Sequence, residues 1–417
     1  MSERQGASRR RRAGEAAKVK ARVNVKAKRE YPEGWPGSVD VLILTAKYGD
    51  GHLSAAKAIQ AAVNRLVPDA TVELLDYYGF VNPRLDRAIR WSYLMSVRNA
   101  PWAYRWFYQS TQHIDPNSST QSMLNRIGLR EFYRAMGPNP PRIIISTYPT
   151  AAGVVATLKE RRLLDVENFV VMTDYAVHSQ WLHRGVDRYF VGAEDMRVSM
   201  ASRGFDPERI DVSGIPVDPR FREPRSDRAR QLAALGLADH PTVLYMGGSY
   251  LAMTQFREVL GSLAELPGPV NLVVVGGRAA SRTEEARRFA AQSPHPAVAL
   301  GYVTNVPDLM SAADVLVTKA GGLTTTEALC RGLPMVVYRQ IPGQEDSNAA
   351  FLARHGAAVV TRTPAQLVEA LSHLLANPAE RERRAAAAAS LGLPDGASRV
   401  AERVRDVLER RRVHAGA

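Results

Sequence analysis

Short apolar runs recur along the chain, and longer stretches with helical periodicity separate them. The first run, residues 39–44, is Val-Asp-Val-Leu-Ile-Leu, which is typical of a strand in a parallel sheet covered on both faces. Strands alternate with helices in both halves, so the pattern predicts an α/β protein with two parallel sheets. The predicted strands are 39–44, 71–76, 142–146, 168–172, 188–191 and 210–213 in the first half, and 242–246, 272–275, 297–300, 314–317 and 335–338 in the second.

A stiff connection rich in proline and glycine, Gly-Ile-Pro-Val-Asp-Pro at 214–219, separates the two halves and predicts a domain boundary. The alternation of strands and helices restarts after it. The predicted organisation is a basic arm (1–38), an N-terminal domain (39–213), a hinge (214–220), a C-terminal domain (221–395) and a terminal helix that can cross back to the first domain (396–417).

The charge is concentrated at the start of the chain. The 417 residues carry a net charge of +13, of which residues 1–30 supply +8 (eleven Lys or Arg against three Glu) and the remaining residues +5. We expect this arm to be disordered, because it has no apolar period. It can bind anionic lipid or RNA, or remain a solvated tail without a partner.

The composition also limits where the protein works. The single cysteine, Cys330, excludes an internal disulfide and is typical of a reducing compartment. No apolar h-region follows the basic arm, and no apolar run approaches the ~20 residues that span a bilayer. Any contact with a membrane is therefore expected to be peripheral.

A glycine pair, Gly321-Gly322, lies where a strand at 314–317 turns into a helix predicted at 325–331. Free backbone N–H groups and the positive helix end favour an anion there, and Thr324 to Thr326 add hydroxyl donors. Glu327 is predicted on the first helical turn, where a carboxylate suits the hydroxyls of a diol. Phosphate together with a diol indicates a nucleotide. The alternative is a tight turn followed by an ordinary glutamate at a helix start.

Two further segments extend this predicted site. Gln344-Glu345-Asp346 follows the strand at 335–338 and offers donors and acceptors such as a sugar requires. Gly247-Gly248-Ser249 follows the strand at 242–246 and is a second glycine turn suited to a diphosphate. By itself this triplet is weak evidence for a ligand.

A histidine follows the first strand in a glycine-rich loop, Gly49-Asp50-Gly51-His52, before a helix predicted at 54–66. The positive helix end disfavours imidazolium, so His52 is expected to be neutral and able to accept a proton as a general base. The spacing of the glycines does not match a dinucleotide-binding fingerprint. A capping or packing histidine is the alternative interpretation.

Residues 80–136 form a long predicted insertion without a strand, and it holds Trp91, Trp102 and Trp106 with interleaved arginines. Aromatic rings favour the bilayer interface, and Arg87, Arg90 and Arg98 can meet lipid phosphate. The insertion is therefore a candidate membrane surface. An aromatic cap over the N-terminal core is the alternative, and the two can coexist on opposite faces.

Two polar residues, Asp174 and His178, follow the strand at 168–172 and are expected in the same cleft as His52. Either a direct role or a structural hydrogen bond fits them. His178 and His183 lack a convincing third ligand, so the sequence predicts no metal site and no cofactor.

The segments predicted to bind a nucleotide and a sugar also resemble those of a known family. Residues 319–324 (Lys-Ala-Gly-Gly-Leu-Thr), 327–334 and 342–348 closely resemble the sugar-nucleotide signature of the diacylglycerol glycosyltransferases. This family includes monogalactosyldiacylglycerol synthases and bacterial processive diacylglycerol glucosyltransferases, and it is related to the peptidoglycan glycosyltransferase MurG. Residues 49–59 resemble the glycine-rich N-terminal loop of the same family. The resemblance covers most of residues 39–376.

The resemblance implies a GT-B fold, with two Rossmann-like domains facing each other across a cleft. It implies inverting transfer of glucose or galactose from a UDP-sugar to diacylglycerol, at the cytoplasmic face of a membrane, without a cofactor. The implied partners are UDP-hexose, diacylglycerol and an anionic membrane surface, and nucleic acid is not expected. A MurG-like enzyme with a polyprenyl-diphosphate acceptor, or a non-catalytic membrane- or RNA-binding protein on this scaffold, are the alternatives.

The same resemblance assigns roles to particular residues. His52 corresponds to the proposed base, and Glu327 is expected to hold the ribose. The expected donor site comprises Gly248, Ser249, Tyr302, Val303, Gly321, Gly322, Leu323, Thr324, Glu327, Gln344 and Glu345, and the expected acceptor and membrane site comprises Gly51, Trp91, Trp102, Trp106, Asp174 and His178.

Overall fold

The fold consists of two parallel six-stranded sheets with helices around each, which confirms the predicted α/β class. The basic arm, Trp91 and Ser249 lie outside the described residues, so the predictions for them stay predictions. The computed structural model describes residues 39–46, 50–81, 102, 106, 108, 110–112, 128–137, 139–248, 253–339 and 343–415.

The first sheet has the strand order β2-β1-β3-β4-β5-β6, and every neighbouring pair is parallel. Each strand begins and ends within one residue or two of its predicted bounds. The strands are β1 (Val41–Thr45), β2 (Val72–Asp76), β3 (Ile143–Ser146), β4 (Glu167–Val171), β5 (Arg188–Val191) and β6 (Ile210–Val212).

The second sheet has the order β12-β11-β10-β7-β8-β9 and is also parallel throughout. Its last strand was not predicted, because the run of four residues is half-exposed at its centre and lies at the sheet edge. The strands are β7 (Thr242–Met246), β8 (Asn271–Val275), β9 (Ala297–Leu300), β10 (Val315–Thr318), β11 (Met335–Tyr338) and β12 (Ala358–Thr361).

Helices connect the strands, as parallel pairing requires. Short 3-10 turns occupy Ser179–Trp181, Pro207–Arg209 and Pro219–Arg222. The helices within the described residues are α1 (Asp50–Leu66), α2 (Tyr77–Val81), α3 (Leu129–Met136), α4 (Pro149–Glu160), α5 (Glu194–Ser202), α6 (Arg228–Ala234), α7 (Met253–Ala264), α8 (Ala280–Gln292), α9 (Val306–Ala312), α10 (Gly322–Cys330), α11 (Gln344–Arg354), α12 (Pro364–Ala376), α13 (Pro378–Leu391) and α14 (Gly396–Ala415).

Local sequence explains where several helices begin. The side chain of Thr363 accepts a hydrogen bond from the Gln366 N–H, and Pro364 occupies the first helical position of α12. Asn377 and Pro378 repeat this arrangement at the start of α13. A capping oxygen satisfies an N–H group that lacks a helical partner, and proline there gives up an N–H that would have no partner.

The first strand shows why its run is almost wholly apolar. All five residues of β1 are buried. Val41 and Ile43 pack into the cluster that contains α1, whereas Leu42 and Leu44 pack into the cluster on the other side, with α3 and α4. Alternate residues of a strand face opposite sides of the sheet, so a sheet covered on both sides needs apolar residues at every position.

The two domains share a buried interface. Tyr175, just beyond β4, stacks on Phe351 of α11 with ring centroids 4.6 Å apart and planes 8° from parallel. The Tyr175 hydroxyl also lies 2.8 Å from the Thr326 hydroxyl of α10. Ile215 and Val217 from the connection join the same apolar cluster. The cleft is therefore closed at its base by a packed contact.

The last helix packs against the first domain, although it follows the second in the chain. Five apolar residues of α14 join the cluster formed by β1 and α1. Arg403 of α14 also forms an ion pair with Asp211 of β6. The apolar residues are Val400, Ala401, Val404, Val407 and Leu408.

Candidate active site

The strand order of each sheet reverses at one point, and both reversals face the cleft. In the first sheet β1 is flanked by β2 and β3, and in the second β7 is flanked by β8 and β10. Connections leaving the two strands at such a point run to opposite faces of the sheet and leave a crevice at the carboxyl ends. These crevices hold His52 in one domain, and Gly248 with Gly321 in the other.

His52 lies in the first turn of α1, because the helix begins at Asp50, four residues earlier than predicted. Its Nδ1 and the Thr173 hydroxyl are 2.8 Å apart and share a hydrogen bond. The Thr147 hydroxyl donates to the His52 carbonyl oxygen over 3.3 Å. The rings of Tyr148 and Trp181 lie 5.2 Å and 6.4 Å from the imidazole. The ring is thus held through Nδ1.

Burial lowers the pKa of His52 below its ordinary value of 6.5, although the nearby Asp174 carboxylate and a hydrogen bond of the imidazole to the Thr147 backbone act in the opposite direction. A pKa below 6.5 leaves the imidazole neutral at pH 7. Its cause is burial, whereas the sequence argument relied on the positive helix end. Neutrality at pH 7 is a property that a general base requires.

Asp174 lies between the two domains and is almost fully buried. The Gln344 side-chain amide donates to both of its carboxylate oxygens over 2.6 Å, and the Asn348 amide donates over 3.2 Å. Burial raises the pKa of Asp174 above its ordinary value, while these amides and His52 oppose the shift. Asp174 thus links Gln344, which is expected at the sugar, to the side of the cleft that holds His52.

His178 is buried and faces the insertion. Its Nε2 lies 3.2 Å from the Tyr108 carbonyl oxygen and 3.3 Å from the Thr111 hydroxyl. The centroids of the His178 and Tyr108 rings are 4.5 Å apart, and the ring planes are tilted by 46°. Its Nδ1 accepts a hydrogen bond from the Gln180 N–H. These contacts match the structural alternative for His178, which anchors the insertion beside the cleft.

The tryptophans that the structure describes in the insertion are exposed. Trp102 exposes 75% and Trp106 exposes 68% of its surface, while Thr111 is buried. Tyr108 lies against Gly343, since a methyl group on that glycine would come within 2.8 Å of the Tyr108 ring. The described residues of the insertion therefore have a side that packs on the cleft and a side that presents indole rings to solvent.

The donor helix α10 begins at Gly322, three residues before its predicted start, with Gly321 as the capping residue. The predicted place of Glu327 on the first turn is therefore wrong, and Glu327 lies in the second turn. The glycine pair was assigned wholly to the turn, but Gly322 already has helical geometry. A methyl group on Gly322 would overlap the carbonyl oxygen of Thr173, and one on Gly51 would lie 3.9 Å from the Leu323 side chain.

The three threonines of α10 have different surroundings. Thr325 and Thr326 are fully buried, and Thr326 donates to the Gly322 carbonyl oxygen over 2.7 Å. The prediction that all three offer hydroxyls to a ligand is therefore wrong for these two. Thr324 is half-buried beside the glycine pair, and it is the threonine of the three that can meet an anion at the helix start.

The Glu327 carboxyl is buried, with 9% of the residue exposed, and no described residue forms a hydrogen bond or ion pair with it. Burial, with a smaller contribution from Asp218, raises the pKa of Glu327 to about 8. An unpaired buried carboxyl is costly unless a ligand supplies hydrogen bonds. The hydroxyls of a ribose are suitable donors.

Around the second glycine turn the side chains are close together. Gly248 has the positive φ of +71°. A methyl group on it would lie 2.8 Å from Cε of Lys319. Lys319 forms an ion pair with Glu345, and both side chains are largely buried. Sequence reasoning gave Lys319 no role, although its place between a strand end and a glycine pair was a usable signal.

Tyr302 follows β9 at the other side of the donor crevice and exposes 55% of its surface. The guanidinium carbon of Arg278 lies 3.6 Å from the centre of the Tyr302 ring. Val303 is half-buried against the core. Arg278 covers one face of the Tyr302 ring. The exposed part of the ring is accessible to a planar group such as a base.

Two negative observations apply to the described residues alone. Across the described ranges, no three or more His, Cys, Asp or Glu side chains come together as metal ligands would. Among the helices formed by those residues, none has the length and apolar character needed to cross a bilayer.

Comparison with solved structures defines the class of protein. MurG from Acinetobacter baumannii superposes with a TM-score of 0.59 and 17% identity, over 88% of this chain and 99% of that one. Anabaena HepE, solved in complex with UDP and glucose, gives 0.51 and 15%, over 89% and 99%. At identities this low, the superpositions establish the fold alone. It is the GT-B fold of glycosyltransferases.

Sequence comparisons define the family. Residues 52–217 match the model of monogalactosyldiacylglycerol (MGDG) synthase, and residues 242–400 match the glycosyltransferase family 28 C-terminal domain. The processive diacylglycerol beta-glucosyltransferase of Bacillus licheniformis is 31% identical over 81% of this chain and 87% of its own length. That of Bacillus subtilis is 30% identical over the same shares. The chain belongs to the diacylglycerol glycosyltransferase family, as its motifs predicted.

Proposed function

We propose that this protein transfers a hexose, glucose or galactose, from a UDP-hexose to the free sn-3 hydroxyl of diacylglycerol, with inversion at the sugar carbon. The observation that carries the proposal is the contact between the two helix starts. Gly51, next to His52, lies against Leu323 of the donor helix. A proton acceptor and an anion-binding helix end therefore meet in a chain whose named relatives act on diacylglycerol.

The donor lies along the C-terminal domain in this proposal. The Glu327 carboxylate accepts hydrogen bonds from the two ribose hydroxyls, and the Tyr302-Val303 turn meets the uracil. Gln344 and Glu345 contact the sugar hydroxyls. The diphosphate lies between the two glycine turns, where helix N–H groups favour an anion. The residues proposed for it are Gly248, Ser249, Gly321, Gly322, Leu323 and Thr324.

The reaction follows from this placement. The acceptor oxygen attacks C1 of the hexose, and Nε2 of His52 takes the hydroxyl proton as the new C–O bond forms. The bond between C1 and the diphosphate oxygen breaks, and UDP departs with the electron pair. The N-terminal end of α10 stabilises the charge that develops on the diphosphate, since its N–H groups are already oriented.

The insertion provides the membrane contact in this proposal. Trp102 and Trp106 present large apolar rings to solvent, and such rings favour the bilayer interface. The basic arm at residues 1–38 adds attraction to anionic lipid at the cytoplasmic face. The protein binds there as a peripheral enzyme, with Tyr108 and His178 between the exposed rings and the cleft.

The test is a lipid-extraction assay. Purified protein is mixed with diacylglycerol in anionic liposomes and with labelled UDP-glucose or UDP-galactose, and label is then measured in the organic phase. Label from one donor identifies the sugar, and a ladder of products shows that the glycolipid re-enters as acceptor. Protein with His52→Ala is the control, and it should give almost no labelled lipid.

Absence of organic label, with UDP binding intact, would overturn the diacylglycerol acceptor. A polyprenyl-diphosphate acceptor would then be supplied in the same assay. Loss of both label and UDP binding would overturn the donor assignment as well.

A further inference from the structure

Lys319 occupies the space between the two glycine turns of the C-terminal domain. It follows β10 directly, at the point where the strand order of the second sheet reverses. Its Cε would lie 2.8 Å and its Nζ 3.6 Å from a methyl group on Gly248, and Nζ would lie 3.7 Å from one on Gly321. A side chain at Gly248 would therefore compete with the lysine for the same space, whereas a methyl group at Gly321 would only contact it.

The lysine is held by a carboxylate inside the site. Lys319 and Glu345 form an ion pair, with side chains only 13% and 9% exposed. Glu345 belongs to the segment expected at the sugar hydroxyls, and the same carboxylate would lie 3.9 Å from a methyl group on Gly321. One ion pair thus links the place proposed for the diphosphate to the place proposed for the hexose.

A buried arginine fixes the turn on the other side. Arg282 of α8 is 5% exposed, and its Nη1 donates to the Gly248 carbonyl oxygen over 2.7 Å. The carbonyl oxygen is thereby held toward Arg282, and its negative end is kept from an anion beside Lys319. Gly248 has φ of +71°, a conformation that glycine adopts without strain.

We propose that Lys319 binds the diphosphate of the sugar nucleotide and that it exchanges Glu345 for the diphosphate when the donor binds. This inference rests on the proposed function and adds a residue and a sequence of contacts to it. The diphosphate brings anionic oxygens to the two glycine turns, and the lysine amine is the cation between them. Glu345, released from the lysine, accepts hydrogen bonds from the hexose hydroxyls.

This exchange couples recognition of the two ends of the donor. A nucleotide without a sugar pulls Lys319 from Glu345, and the buried carboxylate loses its attraction to the lysine charge, which is unfavourable. A sugar nucleotide supplies hydroxyls to the released carboxylate at the same moment. Glu345 therefore opposes the binding of UDP and supports the binding of UDP-hexose.

The experiment compares the affinities of uridine and UDP by titration calorimetry. Lys319→Met removes the amine and keeps the length of the side chain. We expect it to weaken UDP binding by about tenfold to a hundredfold, the usual range for a hydrogen bond to a charged group, with uridine binding unchanged. Glu345→Gln should strengthen UDP binding by roughly threefold, because the competitor for the lysine is gone, and should lower hexose transfer.

The two substitutions are expected to change UDP affinity in opposite directions, and this distinguishes the proposal from a purely structural role of the ion pair. If the ion pair only stabilised the loop, both substitutions would change UDP affinity in the same direction, and that result would overturn the proposal. Lys159→Met is a matched control, because Lys159 also pairs with a carboxylate, Asp187, at the amino ends of β4 and β5. It should leave UDP affinity unchanged.

A second variant protects against poor folding. Lys319→Met leaves the Glu345 carboxylate buried, so the double variant with Glu345→Gln removes both charges and should still lose UDP affinity. Equal UDP affinity in wild type and the double variant would contradict the role of the lysine. A wild-type protein that binds neither uridine nor UDP would instead contradict the proposed function, so the two failures are distinguishable.

Discussion

The two helix starts that face each other across the cleft are held in different ways. The donor helix α10 is flanked by its own chain, and residues 319 to 348 supply the lysine, the glycine pair, Glu327 and Gln344. The base-bearing start of α1 depends on distant residues, since Thr147, Thr173 and Trp181 surround His52. One domain draws most of its proposed donor contacts from a single stretch of sequence, with Gly248 and Tyr302 added from other strand ends, and the other has a site assembled from distant residues.

This difference matches the ligands proposed for the two domains, a nucleotide sugar in one and a lipid acceptor in the other. A nucleotide sugar is a constant ligand, and two successive strand-helix units, β10-α10 and β11-α11, can carry most of its contacts. The acceptor arrives from a membrane in our proposal, so His52 must lie where the insertion and the sheet meet. The predictions below test this contrast, beginning with the largest effect.

The largest effect is expected at His52. Replacing it with alanine should lower the turnover rate by about 10²- to 10⁴-fold, the range for loss of a general base, with UDP affinity unchanged. Because burial lowers the pKa of His52 below 6.5, the wild-type turnover rate at saturating UDP-hexose should stay constant above pH 6.5 and fall in more acidic buffer. The transfer assay and calorimetry measure these two quantities. Equal activity of His52→Ala and wild type would exclude His52 as the base.

The next effect concerns the contact between the domains. Gly322→Ala places a methyl group into the Thr173 carbonyl oxygen, whereas Gly321→Ala has 3.7 Å or more to its nearest neighbours and φ of −72°. The first variant should lose about 100-fold in transfer rate, since misplacement of reacting groups by about 1 Å has that effect. The second should stay within a few-fold of wild type. Similar rates for both variants would show that the closeness of the domains does not matter for transfer.

An intermediate effect is expected from the pH dependence at Glu327. Below pH 8 the folded protein holds this carboxyl neutral, and ribose hydroxyls donate better to the carboxylate. Uridine affinity, which involves no phosphate titration, should therefore rise about tenfold from about pH 7 to about pH 8.5. Glu327→Gln should bind uridine more weakly at the higher pH and show no such rise. A wild-type affinity that is flat with pH would contradict the ribose role.

The same carboxyl affects the stability of the donor-free protein. Its pKa is raised in the folded state, so the folded protein binds the proton more tightly than the unfolded chain. The free energy of unfolding should thus decrease as the pH rises from about 4.5 to about 8, and Glu327→Gln should remove this slope. Urea titrations at several pH values measure it.

The smallest effect is expected at the proposed membrane surface. Trp102→Ala or Trp106→Ala should weaken binding to anionic vesicles roughly fivefold each, because each ring loses a fraction of its transfer free energy. UDP affinity and melting temperature should not change. Val198→Ala is the control, since Val198 is also exposed on the N-terminal domain, in α5. If Trp102→Ala, Trp106→Ala and Val198→Ala all bind vesicles equally strongly, the two tryptophans do not contribute to membrane binding.

The contrast between the two sides also explains how much could be predicted. Every strand was found from its apolar run except β12, whose centre is half-exposed. Most of the donor residues were found because Gly321 to Glu345 lie within one short stretch of the chain. The sequence could not predict the hydrogen bond between the Gln344 amide and Asp174, or that between Thr326 and Tyr175. These bonds join residues about 150 to 170 positions apart.

His178 illustrates the limit on the acceptor side. Its position after a strand end favoured the cleft, and its actual partners are Tyr108 and Thr111, in the insertion. Nothing periodic in residues 80–136 indicated which side chains turn inward. Polar contacts made by an irregular segment depend on its packing, and the pattern of apolar residues does not encode them.

The last helix has a consequence for the synthesis of the protein. The apolar face of α14 completes a core that begins at β1, so the earliest domain to emerge from the ribosome lacks part of its interior until the final residues are made. Domains commonly fold one after another, from the amino terminus onward, as a chain is synthesised. Here the first domain must wait for the second, and a chain shortened before Gly396 would leave an apolar groove along α1 open to chaperones, proteases and other nascent chains.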